Sequence, residues 1–309
     1  MGMKMKKWLV VLCICISLQL FGQENVLAVV KELNVENSID VTIEKISGGL
    51  TNDNFKVTIA GKAYFFRVSN NENTLLNNSL EREWQITKLI SKAGIGPKVI
   101  HYSPLNNILV TDFIETKKPV DLRNPATVKN FCRLISSLHR LQETFPTEYE
   151  PIDVLKEDVE RAVSAGINFP LELQQVLLPK IESFYTYSKK VPAHLDLHAG
   201  NILDQGEQLF LIDWEYAAMS DPFFDLATLA SAENLSDHEM QTLLECYLER
   251  NPINEEINYF YKMRILADLR WAVWCYIQAK ISLLNEPFEA MGKSFLEASL
   301  KRINLKDNM

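Results

Sequence analysis

The chain is poor in cysteine, and its few thiols are placed for no framework. Cys13, Cys15, Cys132, Cys246 and Cys275 are the five, and only three lie beyond the N-terminal segment. They are widely spaced and form no CxxC pair, which excludes a disulfide scaffold and a cysteine zinc site. The chain also lacks a positive balance. Its 32 lysines and arginines stand against 40 acidic residues, a net charge of −8. Nucleic-acid binders carry the opposite sign, so no nucleic-acid partner is expected. An acidic surface suits a cationic substrate, although acidity serves solubility first. Internal repeats and low-complexity tracts are absent as well. No apolar run is long enough for a comfortable membrane span. Trp8–Phe21 follows Lys4, Lys6 and Lys7 and precedes Gly22-Gln23-Glu24. Residues 1–22 therefore read as a signal-like or hydrophobic leader. A buried N-terminal helix or an early start codon would give the same pattern.

What is present is ordinary globular material. With 309 residues, 47% hydrophobic and 23% charged, the chain can build one large or two modest domains. Residues 24–33 read as a short helix. β-Rich segments follow: VTIEKI, NFKVTI and AYFFRV. In the second, Phe55, Val57 and Ile59 alternate with Lys56 and Thr58, a half-buried strand, and Ala60-Gly61-Lys62 is a tight connection to the third. Residues 78–92 read as a helix stopped by Gly94 and Pro97. KVIHYS and NILVTDFI read as two more strands. From about Lys117 the texture turns helical. Val128, Phe131, Cys132, Ile135 and Leu138 have helical spacing. Ser236 and Glu239 form a capping box ahead of Met240, Leu243, Leu244, Tyr247 and Leu248. A β-rich front and a helical back predict an α+β protein of two lobes.

The stretch AHLDLHAGNILDQGEQLFLIDWEY, residues 193–216, concentrates the chemistry. Two apolar runs, Asn201–Leu203 and Leu209–Ile212, flank a polar turn with Gly206 and read as a hairpin. Asp196 and Asn201 come just before it and Asp213 at its far end, so all three can converge. Two carboxylates and an amide oxygen make a hard oxygen site suited to Mg²⁺ and substrate phosphates. A carboxylate left off the metal can accept a hydroxyl proton.

HxDxxxxN followed by an apolar run and IDWEY resembles the kinase-like phosphotransferases of small alcohols: choline and ethanolamine kinases, thiamine kinases and aminoglycoside phosphotransferases. The resemblance covers the chain from about Val26 onward. It implies a bilobal protein-kinase-like fold, with a nucleotide-binding N-lobe over 23–115 and a catalytic, substrate-binding C-lobe over 116–309. It implies ATP and Mg²⁺ as cofactors, Asp196 as the base or orienter of the acceptor hydroxyl, and Asn201 and Asp213 as metal ligands. His194 would brace the loop, and His198 is a loop residue. In-line phosphoryl transfer of this kind works by positioning and charge neutralisation.

The front half is read against the same family. SGGLTNDNFKV carries Gly48 and Gly49, which let the backbone approach phosphates, with donors at Ser47, Thr51 and Asn52. Alone, a Gly-Gly turn is commonplace; here it resembles the phosphate-covering loop. Arg67 stands on the third strand where most kinase-like proteins carry lysine, a departure similar to choline kinases. Ala63, Phe65 and Arg67 share a strand face, which makes Phe65 a candidate roof for adenine. Lys56 and Lys62 are expected to be solvated. For the carboxylate partner of Arg67 the helix offers Glu81 and Glu83. Glu83 shares a face with Leu80, Trp84, Thr87 and Ile90 and is the choice, while Glu81, three after Asn78, reads as part of an N-cap. Asp112-Phe113-Ile114 would be the hinge whose backbone, at Phe113 and Ile114, meets the adenine edge.

The acceptor is read from DLRWAVWCYIQAK. Leu266, Leu269, Val273 and Ile277 form one helical stripe, and Trp271, Trp274 and Gln278 fall on another face. The pair resembles the aromatic wall that choline kinases place around a quaternary ammonium, a contact worth roughly 0.5–2 kcal/mol. Two tryptophans that merely pack another helix would look the same. Glu215 and Tyr216 would add charge and an aromatic edge, and Asp225 would brace the loop. Choline or ethanolamine is the expected acceptor. Thiamine is the alternative, with aminoglycosides third because a polycation calls for carboxylates rather than indoles. A pseudokinase serving as a binding module would be expected to lack one of Asp196, Asn201 and Asp213. Dependence on ATP argues for the cytoplasm and conflicts with the leader.

Overall fold

The computed structural model describes residues 23–33, 40–46, 52–69, 79–184, 189–206, 208–282 and 284–306. It divides into two compact units. One holds the described residues up to Ile114 apart from 93–96; the other holds 93–96 and everything described from Glu115 onward. The leader and the residues Gly48, Gly49 and Thr51 lie outside the described residues.

The first unit is a helix, a five-stranded sheet and a second helix. Helix α1 (residues 23–32) precedes β1 (Val41–Ile46), β2 (Asn52–Ile59) and β3 (Lys62–Ser69). Helix α2 (Leu80–Lys92) then leads to β4 (Val99–Ser103) and β5 (Ile108–Asp112). The sheet order is β1-β2-β3-β5-β4, with antiparallel neighbours throughout. The period-2 pattern explains β2: Phe55, Val57 and Ile59 are buried and the residues between them are half-buried. Ala60 and Gly61, at φ 50° and 79°, make the two-residue turn between Ile59 and Lys62. That twist suits a hairpin, and glycine adopts it without strain. Val26, Val29 and Val30, one face of α1, pack with Phe55, Val57, Ile59, Phe66, Val68, Ile108 and Val110 as a single apolar core. Burying each such side chain contributes about 1.5–3 kcal/mol.

Helix α2 starts two residues later than the sequence suggests. Ser79 supplies the cap: its Oγ accepts from the Arg82 amide at 3.4 Å and its carbonyl from the Glu83 amide at 3.0 Å. Asn78 lies outside the described residues. The helix buries Leu80, Glu83, Ile86, Thr87 and Ile90, while Glu81 is exposed.

The second unit is mainly helical. It comprises α3 (Pro125–His139), α4 (Pro151–Ser164), a π-type stretch at Leu173–Leu177 running into α5 (Leu178–Ile181), α6 (Pro222–Ala232), α7 (Asp237–Leu248), α8 (Asn254–Ile281) and α9 (Phe288–Lys306). The apolar stripe of α3 is buried as spaced. The Ser236/Glu239 capping box opens α7. Helix α8 is buried on more than its Leu266–Ile277 stripe, because Arg264 and Asp268 are inside too. Asp268 accepts from Arg264 Nε at 2.9 Å, Ser231 Oγ at 2.5 Å and Arg302 Nε at 3.2 Å. A buried carboxylate needs such partners, and these tie α8 to α6 and α9.

Four short strands sit among the helices. β6 (Val191–Ala193) pairs antiparallel with β9 (Ala218–Ser220), and β7 (Ile202–Asp204) pairs with β8 (Leu209–Leu211). The inner hairpin is the one expected, shifted by a residue. The outer pair was not foreseen. Nesting one pair inside the other sets the two connecting loops, residues 194–201 and 212–217, side by side. Among the described residues no helix is long and apolar enough to cross a membrane.

Candidate active site

The nested strands assemble the polar cluster of the second unit. Leaving β6, His194, Leu195 and Asp196 are buried at 0%, 0% and 8% exposure. Leu195 adopts φ 66°, a left-handed conformation that costs a branched L-residue about 1–2 kcal/mol. Asp225 on α6 holds it there. Its Oδ1 accepts from the Leu195 amide at 2.7 Å and its Oδ2 from the His194 amide at 2.9 Å. Oδ2 also lies 3.0 Å from His139 Nε2, and His139 Nδ1 lies 2.9 Å from the Tyr247 hydroxyl. Burial alone would raise the Asp225 pKa, but the bond to His139 and the nearby histidine and amide groups outweigh it and hold the carboxyl below its ordinary range. His194 braces the facing loop: Nε2 is 2.8 Å from the Ile212 carbonyl, and the ring packs on Trp214 with centroids 4.6 Å apart.

Asn201 binds the loop to itself. Its Nδ2 donates to the Asp196 carbonyl at 2.9 Å and to Asp196 Oδ2 at 3.3 Å. Its own carbonyl accepts from the Ile212 amide at 3.1 Å, which brings in the neighbouring Asp213. Asp213 is also left-handed, φ 67°, and strained non-glycine backbone of this kind clusters at functional sites. Because the Asn201 nitrogen is committed to Asp196, its oxygen is the atom that can turn toward a cation. One amide oxygen and the Asp213 carboxylate fit Mg²⁺, which takes a few protein oxygens and completes its shell with water and phosphate. Among the described residues no cluster of three or more His, Cys, Asp or Glu could hold a metal unaided. His198 caps the single turn between Asp196 and Asn201, its Nδ1 accepting from the Gly200 amide at 3.0 Å.

The aromatic residues come close to this loop through Arg270, which the sequence reading missed. Its Nη1 donates to the Leu195 carbonyl at 2.7 Å and stands 3.6 Å from Asp196 Oδ1. The same guanidinium lies over the rings of Tyr216 (4.8 Å) and Trp271 (5.6 Å). Glu215 is buried beside Tyr216 in the sequence. Trp271 and Trp274 meet edge to face at 5.8 Å. They also pack on α9, Trp271 stacking on Phe295 and Trp274 meeting Phe288 edge-on. Both indoles therefore serve helix packing. The buried indole Nε1 of Trp271 has no hydrogen-bond partner among the described residues.

In the first unit, Arg67 meets Glu83: Nε is 3.1 Å from Oε2, and both side chains are almost fully buried. Asn52 opens β2 opposite Ser69. Phe65 is half-buried. The Phe113 amide donates a long 3.4 Å bond to the Ala63 carbonyl, and Ile114 follows it at the end of this unit. Lys62 is not merely solvated, since Nζ pairs with Asp112 at 2.9 Å, and Lys56 lies over the Phe113 ring at 4.6 Å.

A five-stranded antiparallel unit with a buried Arg–Glu pair, followed by a mainly helical unit in which Asn201 bonds Asp196, has the protein-kinase-like fold. The chain belongs to the phosphotransferase enzyme family, whose model matches residues 42–255. That match stops short of Trp271 and Trp274. The LicA protein of Haemophilus influenzae is 24% identical over 272 residues, 83% of this chain and 76% of that protein. A probable ethanolamine kinase of Arabidopsis thaliana is 26% identical over 294 residues, 82% of this chain and 77% of its own. The thiamine kinase of Escherichia coli matches over 47 residues, 15% of this chain, at 45% identity. Among solved structures, choline kinase LicA from Streptococcus pneumoniae superposes with a TM-score of 0.72 at 21% identity, over 90% of this chain and 99% of that one. A spectinomycin phosphotransferase in complex with ADP and spectinomycin gives 0.64 at 18%, over 89% and 97%.

Proposed function

We propose that the protein transfers phosphate from ATP, with Mg²⁺, to the hydroxyl of a small cationic alcohol, choline or ethanolamine first. One observation carries this reading: a single guanidinium reaches from Asp196 to the faces of Tyr216 and Trp271. Cation-binding rings therefore stand within one side chain's breadth of the carboxylate proposed to take the hydroxyl proton. Asp196 orients the alcohol. Asn201 and Asp213 would hold Mg²⁺, which neutralises phosphate charge when bound. Glu215, Tyr216, Trp271 and Trp274 select the acceptor. In the first unit Arg67, fixed by Glu83, serves the phosphates with Asn52 and the Gly48, Gly49, Thr51 loop, while Phe113 and Ile114 border the adenine. His194 and Asp225 hold the loop. ATP as donor argues that the protein works in the cytoplasm, and a cleaved, secreted form on fractionation would overturn that. Similarity to LicA and ethanolamine kinase over most of the chain supports the choline branch above thiamine, whose match is short.

The test is purified protein with Mg-ATP against choline, ethanolamine, thiamine and an aminoglycoside, following ADP release. Turnover of choline or ethanolamine above the acceptor-free rate is expected. Turnover of thiamine or the aminoglycoside alone, or of none, overturns the reading.

A further inference from the structure

Arg270 is a cation already seated where a cationic substrate would bind. Its side chain is only 11% exposed. Its partners are the Leu195 carbonyl at 2.7 Å, Asp196 Oδ1 at 3.6 Å, the two ring faces at 4.8 and 5.6 Å, and the Tyr149 hydroxyl, with the Asp158 carboxylate also acting on its charge. The bond to Leu195 matters for the strained loop, since Asp225 ties down the amide of that residue and Arg270 its carbonyl. The ring contacts matter for selectivity. A quaternary ammonium gains from an aromatic face only what that face has not already given to another cation, and it is repelled by that cation.

We propose that Arg270 is a positioning and specificity-determining residue. It holds Leu195 and Asp196 in register for transfer. As a resident cation on Tyr216 and Trp271 it also weakens binding of acceptors that carry positive charge. The second half rests on the acceptor site being the one described above. Holding the base and admitting the cation pull in opposite directions, so removing the guanidinium should improve cation binding while slowing transfer.

The experiment compares wild type with Arg270→Met, which keeps the apolar stem, and Arg270→Lys, which keeps the charge. Calorimetric titration with tetramethylammonium needs no turnover. Arg270→Met should bind it roughly 2- to 30-fold more tightly than wild type, the ratio equivalent to one cation–π contact. Arg270→Lys should bind it as weakly as wild type. Kinetics with choline and its uncharged isostere 3,3-dimethylbutanol supply the second readout. In Arg270→Met the KM for choline should fall relative to that for the isostere, while kcat falls on the order of 10- to 100-fold for both as the base loses its place. A merely structural arginine would not change the ratio between charged and uncharged ligands. Unchanged tetramethylammonium affinity in Arg270→Met, or an equal gain in Arg270→Lys, overturns the proposal. If tetramethylammonium behaves as expected but no alcohol is phosphorylated, the assignment of the acceptor fails and the role of Arg270 as resident cation stands.

Discussion

Asp225→Asn tests whether the loop at residues 194–196, proposed to carry the catalytic carboxylate, is held by Asp225. The wild-type carboxylate accepts from the Leu195 amide (2.7 Å), the His194 amide (2.9 Å) and His139 Nε2 (3.0 Å) while fully buried. A carboxamide has the same shape but one oxygen. Whichever way it turns, its NH₂ faces a backbone N–H, either that of Leu195 or that of His194. His139 can adapt by changing tautomer, but a peptide amide cannot. The variant therefore loses one hydrogen bond to a charged acceptor, about 1.5–3 kcal/mol, and leaves one buried donor unsatisfied, about 1–3 kcal/mol. The sum, roughly 3–6 kcal/mol, is a large fraction of the 5–15 kcal/mol typical of a folded domain. Leu195 also loses part of what holds it left-handed, so Asp196 should drift, and a shift of about 1 Å costs on the order of 100-fold in rate. Urea unfolding measures the first effect and ADP release with saturating acceptor the second.

The pH dependence gives the same prediction a sign. The Asp225 carboxyl sits below its ordinary range when folded, so its contribution is complete above the unfolded value, about 3.9, and is lost as pH falls through the folded one. The stability gap between wild type and Asp225→Asn should be widest near neutrality and narrow in acid. A variant within about 1 kcal/mol of wild type at neutral pH, with kcat intact, would refute the bracing role.

Other substitutions separate the proposed roles. Asp196→Asn and Asp213→Asn should each lower transfer by about 100-fold or more while barely moving the thermal midpoint, since asparagine tolerates the left-handed backbone at 213; retained turnover in either would remove that residue from the chemistry. Glu83→Gln leaves the buried Arg67 without its carboxylate and should cost about 3–5 kcal/mol in denaturant unfolding and raise the KM for ATP; an unchanged KM would detach Arg67 from the nucleotide. Trp271→Ala should raise the KM for choline with little change in kcat, and unaltered choline and thiamine kinetics would discard the aromatic wall. Ser236→Ala should cost about 1 kcal/mol of stability and nothing in activity, the value of a helix cap remote from the site.

The elements legible in the sequence are those whose signal is local. The alternation in β2, the spaced apolar stripe of α3 and the Ser236/Glu239 box each lie within one element, and each element forms where its pattern stands. The face of α2 identified Glu83 as the inward carboxylate for the same reason. Strands β6 and β9 have three residues each, too few to show a period, and they pair across the whole intervening hairpin. Only contacts distant in sequence hold them. Arg264 and Asp268 mislead differently. A charge on a helix reads as solvated until Ser231 and Arg302 arrive from other helices to pair with it.

The same division runs through the site. The contact of Asn201 with Asp196 could be expected from sequence because one short loop joins them ahead of the hairpin that leads to Asp213. Arg270 could not be, although it sits beside Trp271 in the same segment. Spacing places indoles on a face; it says nothing of which neighbour lies on the rings, and only the nested loops put Leu195, Asp196 and Tyr216 within reach of one guanidinium. This bears on acceptor choice. Two tryptophans on a helix are a cation site only if their faces are available, and here one is shared with Arg270 and backed by Phe295. On the proposed acceptor site, a quaternary ammonium would displace the guanidinium or be held by the other residues proposed to bind it, Trp274 and Glu215. The first route would break the bond that steadies Leu195 at the moment of transfer. The second leaves the loop held, and predicts that Glu215→Gln weakens choline binding more than Trp271→Phe does; titration of the two variants with choline decides between the routes, and the reverse order would mean that the ammonium evicts Arg270.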